Sequence, residues 1–312
     1  MSEIVLLDGG MGQELIRRSS LPPHPLWSAE VMLREPHLVR DIHVDMIRAG
    51  ARVITVNAYS VTRDRLDVKG GKPGDFERLQ DTACRLAREA RDEAGEDVAI
   101  AGCLPPLHNS YRPDQVDPVE VTEPIYREIA ERQAESVDLF LAETLNSGEQ
   151  ARGAILGAQG LGRPIWVALT PDDRANGRLR GGETLAEAVA VIADLPVDTL
   201  FVNCGLPEAV QAMVPALQAT GLPWGAYANG FSAIPDSFVA GDGVTADLLS
   251  ARGDVTPEVY AALALGWAEA GAAVVGGCCE IGPAHIAAVA RSLREAGFTP
   301  VRPAGLPEAA LP

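Results

Sequence analysis

The sequence predicts an α/β protein folded as a single-domain (β/α)8 TIM barrel, and three observations carry that expectation. Eight short apolar runs alternate along the chain with segments of helical spacing. Polar or thiol-bearing residues gather at or just past the C-terminal ends of most of these runs, where a barrel keeps its chemistry. The composition, 47% hydrophobic with only 5% aromatic residues, suits closely packed helices over a parallel sheet. An open doubly wound sheet is the alternative, because alternation alone does not show closure.

Strands are expected at 4–8, 53–57, 98–102, 139–143, 165–170, 200–203, 224–228 and 273–276. Helices are expected at 36–49, 76–94, 121–137, 147–159, 184–193, 207–219, 257–270 and 283–296. Several starts carry helix-opening chemistry: Thr256 offers a capping hydroxyl before Pro257, and Pro207 and Pro283 stand where a missing N–H costs little. Residues 1–299 are expected to form one barrel, and the Pro- and Ala-rich tail 300–312 to pack loosely.

A formal charge of −17 argues against a nucleic-acid or anionic-membrane surface, since both need a basic footprint, and points to small-molecule partners. The two lysines, Lys69 and Lys72, sit in a polar, Gly-rich stretch, which argues against a Schiff-base mechanism. No basic region precedes the first apolar run, and no run approaches the roughly 20 apolar residues of a membrane span. Five cysteines in a chain of this size do not resemble a disulfide framework, so a reducing, cytoplasmic setting is expected.

Three of those cysteines stand at strand ends: Cys204 in Val202-Asn203-Cys204-Gly205, and the pair in Gly276-Gly277-Cys278-Cys279. Three converging thiolates would hold zinc and leave its fourth position open, as in catalytic rather than structural sites. The competing reading makes them buried, inert cysteines. Company at the other strand ends favours the metal, because Asp8-Gly9-Gly10, Asn57 with Tyr59, Glu143, Thr170, Asn203 and Asn229 would share the same face.

Leu7-Asp8-Gly9-Gly10-Met11-Gly12-Gln13-Glu14-Leu15, Leu26-Trp27-Ser28-Ala29, Ala49-Gly50-Ala51, the Glu143 strand, Asn203-Cys204 and Gly276-Gly277-Cys278-Cys279 together resemble the homocysteine S-methyltransferase family. The resemblance runs from about residue 4 to about residue 296. It implies a zinc-dependent barrel that moves a methyl group to homocysteine sulfur, giving methionine. By matching motifs, Cys204, Cys278 and Cys279 would bind Zn2+, Asp8, Gly9 and Gly10 would line the homocysteine pocket, and Glu143 would hold the ammonium group.

A sulfonium or quaternary ammonium donor would need an aromatic face, for which Trp27 and Tyr59 are the candidates, with lid packing as their plainer role. Glu143 could instead cap the helix that starts near Ser147, Asp8 could hold its glycine turn, and Asn229 could orient a ligand or a loop. Cys84 and Cys103 fall outside the motifs and read as packing residues, and the five histidines show no metal spacing. Two loops depart from the family pattern: 57–66, where many members have a Thr-Asn-Thr-Tyr-Gln type run, and Cys103-Leu104-Pro105-Pro106, where they have a Gly-Pro-Tyr type turn. Both belong to the donor side, so the sequence specifies the acceptor more closely than the donor. Two other functions compete: a homocysteine-activating partner of a separate corrinoid methyl carrier, and a zinc- or thiol-binding barrel without turnover.

Overall fold

Short runs of β-branched and leucine residues, alternating with amphipathic helices, produce nine parallel strands in one sheet. The computed structural model describes residues 2–22, 24–26, 28–232, 234 and 249–306. The strands are β1 (Ser2–Leu6), β2 (Val53–Thr55), β3 (Ala99–Leu104), β4 (Leu139–Leu145), β5 (Ile165–Leu169), β6 (Thr199–Asn203), β7 (Trp224–Tyr227), β8 (Val274–Val275) and β9 (Phe298–Pro300). Around them lie α1 (Met11–Arg18), α2 (Ser28–Arg34), α3 (Pro36–Ala49), α4 (Arg63–Val68), α5 (Asp75–Ala94), α6 (Val119–Gln133), α7 (Gly148–Ala158), α8 (Leu185–Val191), α9 (Pro207–Ala219), α10 (Pro257–Glu269) and α11 (Pro283–Glu295).

The sheet runs β2-β3-β4-β5-β6-β7-β8-β1-β9 and closes on itself. Leu7, just past β1, forms a parallel bridge with Val53 of β2. The Asp8 N–H donates to the Val53 carbonyl at 2.9 Å, and the Arg52 N–H to that of Leu6 at 2.7 Å. Alternation along a strand puts odd-numbered donors, Val5 and Leu7, on β8, and even-numbered ones on the opposite edge. β9 occupies the lower part of that opposite edge, since the Ser2 N–H reaches Gly297 and the Val301 N–H reaches Ile4. β9 therefore fills the seam between β1 and β2 below the point where they meet. The closed (β/α)8 barrel is the architecture, and an open doubly wound sheet is set aside.

The helix boundaries at 36–49 and 207–219 coincide with those expected, and Thr256 does cap α10, accepting from the Val259 N–H. β9, α1, α2 and α4 were not expected, because elements of three to eight residues carry too few periods to stand out. Residues after β9 lie against the barrel: Arg302 pairs with Asp138 at 3.1 Å, and Leu306 packs on the inner cluster. No helix among the described residues is long and apolar enough to cross a membrane.

Inside the barrel, Leu7, Val53, Leu139, Leu141, Trp166 and Phe201 fill the lower layers, with Tyr227 above them. The Trp166 and Phe201 rings lie 5.4 Å apart, and the Phe201 and Tyr227 rings 5.7 Å, edge to face. Fully buried Tyr260, from α10, clamps the upper ends of β7 and β8: its hydroxyl donates to the Gly276 carbonyl at 2.7 Å and accepts the Ala228 N–H at 3.0 Å. Replacing Tyr260 by Phe strands that buried N–H, so Tyr260→Phe should lose about 1–3 kcal/mol in denaturant unfolding. An unchanged midpoint would show that the clamp contributes nothing.

Candidate metal and substrate site

The strand ends place three sulfurs together at the top of the barrel. The Sγ atoms of Cys204, Cys278 and Cys279 all lie within 4.8 Å of one another. Cys204 and Cys278 are in disulfide contact, and Cys279 Sγ lies 3.8 Å from Cys204 and 4.0 Å from Cys278. Cys204 stands just past β6 with a φ of 51°, a left-handed conformation uncommon for non-glycine residues. Its backbone is pinned on both sides: its N–H donates to the Tyr227 carbonyl at 3.0 Å, and its carbonyl accepts from Asn229 Nδ2 at 3.0 Å. Cys278 continues β8 by donating its N–H to Ala228 at 3.0 Å.

Opposite the cysteines lies the turn that follows β1. The Gly277 N–H donates to the Asp8 carbonyl at 3.0 Å, and the Gly10 N–H to the Ile281 carbonyl at 2.9 Å, so the two segments interlock. A Cβ on Gly10 would stand 2.6 Å from the Cys278 carbonyl oxygen, and one on Gly9 would fall on that of Ile281. These glycines are required by the close approach of the cysteine segment. Asp8 does not brace its own turn with its carboxylate, which instead accepts the Thr55 N–H at 2.8 Å.

Glu143, on β4, follows Leu139 and Leu141 toward the barrel interior. Cys103 Sγ donates to its Oε1 at 3.2 Å, and Tyr227 turns its hydroxyl toward the same carboxylate without reaching regular hydrogen-bond geometry. Helix α7 is capped by Ser147, so Glu143 is free of that duty. Cys103, expected only to pack, is a neighbour of the site, because alternation along β3 sends its thiol to the same side as Ala99 and Ala101 of the inner cluster.

Asp8, Gly9, Gly10, Glu143, Tyr59 and the three cysteines line one pocket, and no Lys, Arg or His is among its described lining residues. Burial pushes Glu143 up to about 7 and Asp8 up to about 8, the latter opposed by its bond from Thr55. Burial likewise pushes the Cys279 thiol up to about 12, reinforced by the Glu143 charge. Such a pocket holds protons until a cation replaces them.

The loops flanking β2 and β3 form one wall. Tyr59 and Ser110 share a hydrogen bond of 2.9 Å between their hydroxyls, while buried Arg65 donates to the carbonyls of Tyr59, Pro106 and His108. The Tyr111 hydroxyl lies 3.2 Å from Cys204 Sγ, and the Arg180 guanidinium sits 4.6 Å from the Tyr111 ring centre. Tyr111 was not foreseen, since its loop lies outside every strand end. Trp27 lies outside the described residues. Asn229 is fully buried: its Nδ2 donates to the Cys204 carbonyl, and its Oδ1 accepts the Phe231 N–H at 3.2 Å within its own turn.

Residues 5–293 match the family profile described as homocysteine S-methyltransferase. The homocysteine S-methyltransferase of Escherichia coli (strain K12) is 32% identical, with 92% of this chain and 94% of that protein covered. Homocysteine S-methyltransferase 4 of Zea mays is 28% identical, with 94% and 90% covered. Among solved structures, the metallated form of the homocysteine methyltransferase MmuM from Escherichia coli superposes with a TM-score of 0.75 at 28% identity, covering 92% of this chain and 96% of that one.

The two carboxyls bind protons more tightly folded than unfolded, which fixes the sign of their pH dependence. Their contribution to stability is fully present below their ordinary values of 4.5 and 3.8, and is lost as pH rises through about 7 for Glu143 and about 8 for Asp8. Urea unfolding of metal-free protein should therefore show stability from this pair falling between pH 5 and pH 8, a fall that Glu143→Gln flattens up to pH 7. Identical pH profiles for wild type and variant would contradict the buried, proton-holding carboxyl.

Proposed function

The chain belongs to the homocysteine S-methyltransferase family, and on that premise we propose that it methylates homocysteine on a zinc ion held by Cys204, Cys278 and Cys279. Methyl transfer to homocysteine is the family's activity; the metal's identity, the ligand set and the residue roles are the reading put forward here. The observation that carries it is the convergence of three sulfurs within 4.8 Å in a pocket lined by Asp8 and Glu143 and by no described basic side chain.

Three sulfur donors, with no fourth His, Cys, Asp or Glu grouped with them among the described residues, suit zinc in a catalytic rather than a structural setting. When bound, zinc supplies an open position at which a thiol loses its proton at neutral pH. Loading requires Cys204 and Cys278 in the reduced state, since the metal ligand is the thiolate. Glu143 is the partner for the homocysteine ammonium, with Asp8 beside it; arrival of that cation favours the ionised carboxylates that burial alone disfavours. Gly9 and Gly10 line the homocysteine pocket with backbone, and their lack of side chains lets the cysteine segment lie against that wall. Tyr59, in the same pocket, offers its ring to a cationic donor, the role the sequence also suggests for Trp27. Asn229 acts by holding the Cys204 loop.

Metal analysis tests the ligand set: reduced wild-type protein should carry about one zinc per chain, and Cys204→Ala or Cys278→Ala should lose it together with methionine formation. A variant that keeps its zinc would remove that cysteine from the set. Glu143→Gln should raise the KM for homocysteine about tenfold or more, the loss of one charge-assisted hydrogen bond. For the donor, methionine formation is compared with S-methylmethionine, betaine, dimethylsulfoniopropionate and S-adenosylmethionine; turnover with none of the four would oppose the cationic-donor reading.

A further inference from the structure

At its upper end β4 carries one residue more than its neighbour. Ala142 pairs with Val167 and Leu145 with Leu169, so Glu143 and Thr144 together face the single residue Ala168. This is a β-bulge, which bends a strand locally and re-aims a side chain. Thr144 enters it with a φ of 61°, a left-handed conformation that β-branched residues avoid and that persists only when the surroundings hold it.

Fully buried Asn203, the last residue of β6, supplies the hold. Its Oδ1 accepts the Thr144 N–H at 3.1 Å, and its Nδ2 donates to Thr144 Oγ1 at 3.0 Å. Both polar ends of the amide act on one residue, two strands away. Asn203 also immediately precedes Cys204. One side chain thus joins the strand end that bears a sulfur ligand to the strand end that bears Glu143.

We propose that Asn203 is a positioning residue for the acceptor: by holding Thr144 in the bulge, it keeps the Glu143 carboxylate where the ammonium of an α-amino thiol reaches it. The pocket's preference for an amino thiol over a plain thiol then depends on Asn203, although Asn203 touches neither substrate nor metal. This inference rests on the reading that Glu143 binds the ammonium group.

The test is equilibrium binding to the zinc-loaded protein, with no methyl donor present, of homocysteine and of 4-mercaptobutanoate, which is homocysteine without its amino group. Wild type should bind homocysteine about tenfold or more tightly over the analogue, the size of one charge-assisted hydrogen bond. Asn203→Ala should weaken homocysteine selectively and bring the two dissociation constants within about threefold, with zinc content unchanged. Glu143→Gln should do the same. If Asn203→Ala weakens both thiols equally, or sheds zinc, while Glu143→Gln still abolishes the preference, the positioning role is wrong and the ammonium reading stands. If Glu143→Gln leaves the preference intact, the ammonium reading itself fails, and this inference with it. Should Asn203→Ala not fold, Asn203→Asp keeps an accepting oxygen for Thr144 and loses the donated bond; a smaller loss of preference in the same direction supports the role, and an unchanged preference overturns it.

Discussion

Two backbone segments meet where β1 and β8 end, so closely that Gly9 and Gly10 admit no side chain between them and the Cys278–Ile281 carbonyls. Much of the upper barrel depends on this contact. It closes the face across the β8–β1 neighbour pair, and it brings the Asp8 turn alongside Cys278 and Cys279. A side chain at either glycine would push the cysteine pair away from Cys204, which is fixed separately by Tyr227 and Asn229. Glycine here governs the spacing of sulfur atoms on different strands.

The second constraint is electrostatic. Two carboxyls and three sulfurs face one space with no described basic residue in the lining. A site of this kind is frustrated when empty of cations, and it resolves that frustration by keeping protons on Glu143, Asp8 and Cys279. Binding of metal and amino acid then displaces protons, so substrate affinity and pH are linked through the same groups. An overall charge of −17 extends the same preference for cationic partners outward.

Much of this was legible in the sequence, for identifiable reasons. Helices opened by Thr256-Pro257, Pro207 and Pro283 announce themselves through capping chemistry and 3.6-residue periodicity, and the strand ends through the polar residues that interrupt apolar runs. The cysteine trio needed only the inference that strand ends converge. What escaped depends on register or on contacts between distant loops. The bulge at Glu143–Thr144 has no local signature, and so Asn203 looked like another polar strand end rather than a brace. Tyr111 reaches the site through the long loop after β3, which follows no pattern of its own, and Cys103 faces it from within β3, whose uniformly apolar run hides which residues point inward. Asn229 carries the residue type of a ligand contact, and its two backbone partners, the Cys204 carbonyl and the Phe231 N–H, have no signature in the sequence.

β9 was described as the filler of the seam between β1 and β2, and its position has a consequence for how the protein is made. Synthesis delivers β1 first, yet both neighbours of its lower half, β8 and β9, come from the far end of the chain. Until residues near 300 have left the ribosome, β1 has an unpaired edge, Gly9 and Gly10 have nothing to press against, and two of the three sulfurs stand on a segment with no barrel to join. Contacts of such long sequence separation form late. The three-sulfur cluster can therefore be complete only once the far end of the chain has been made.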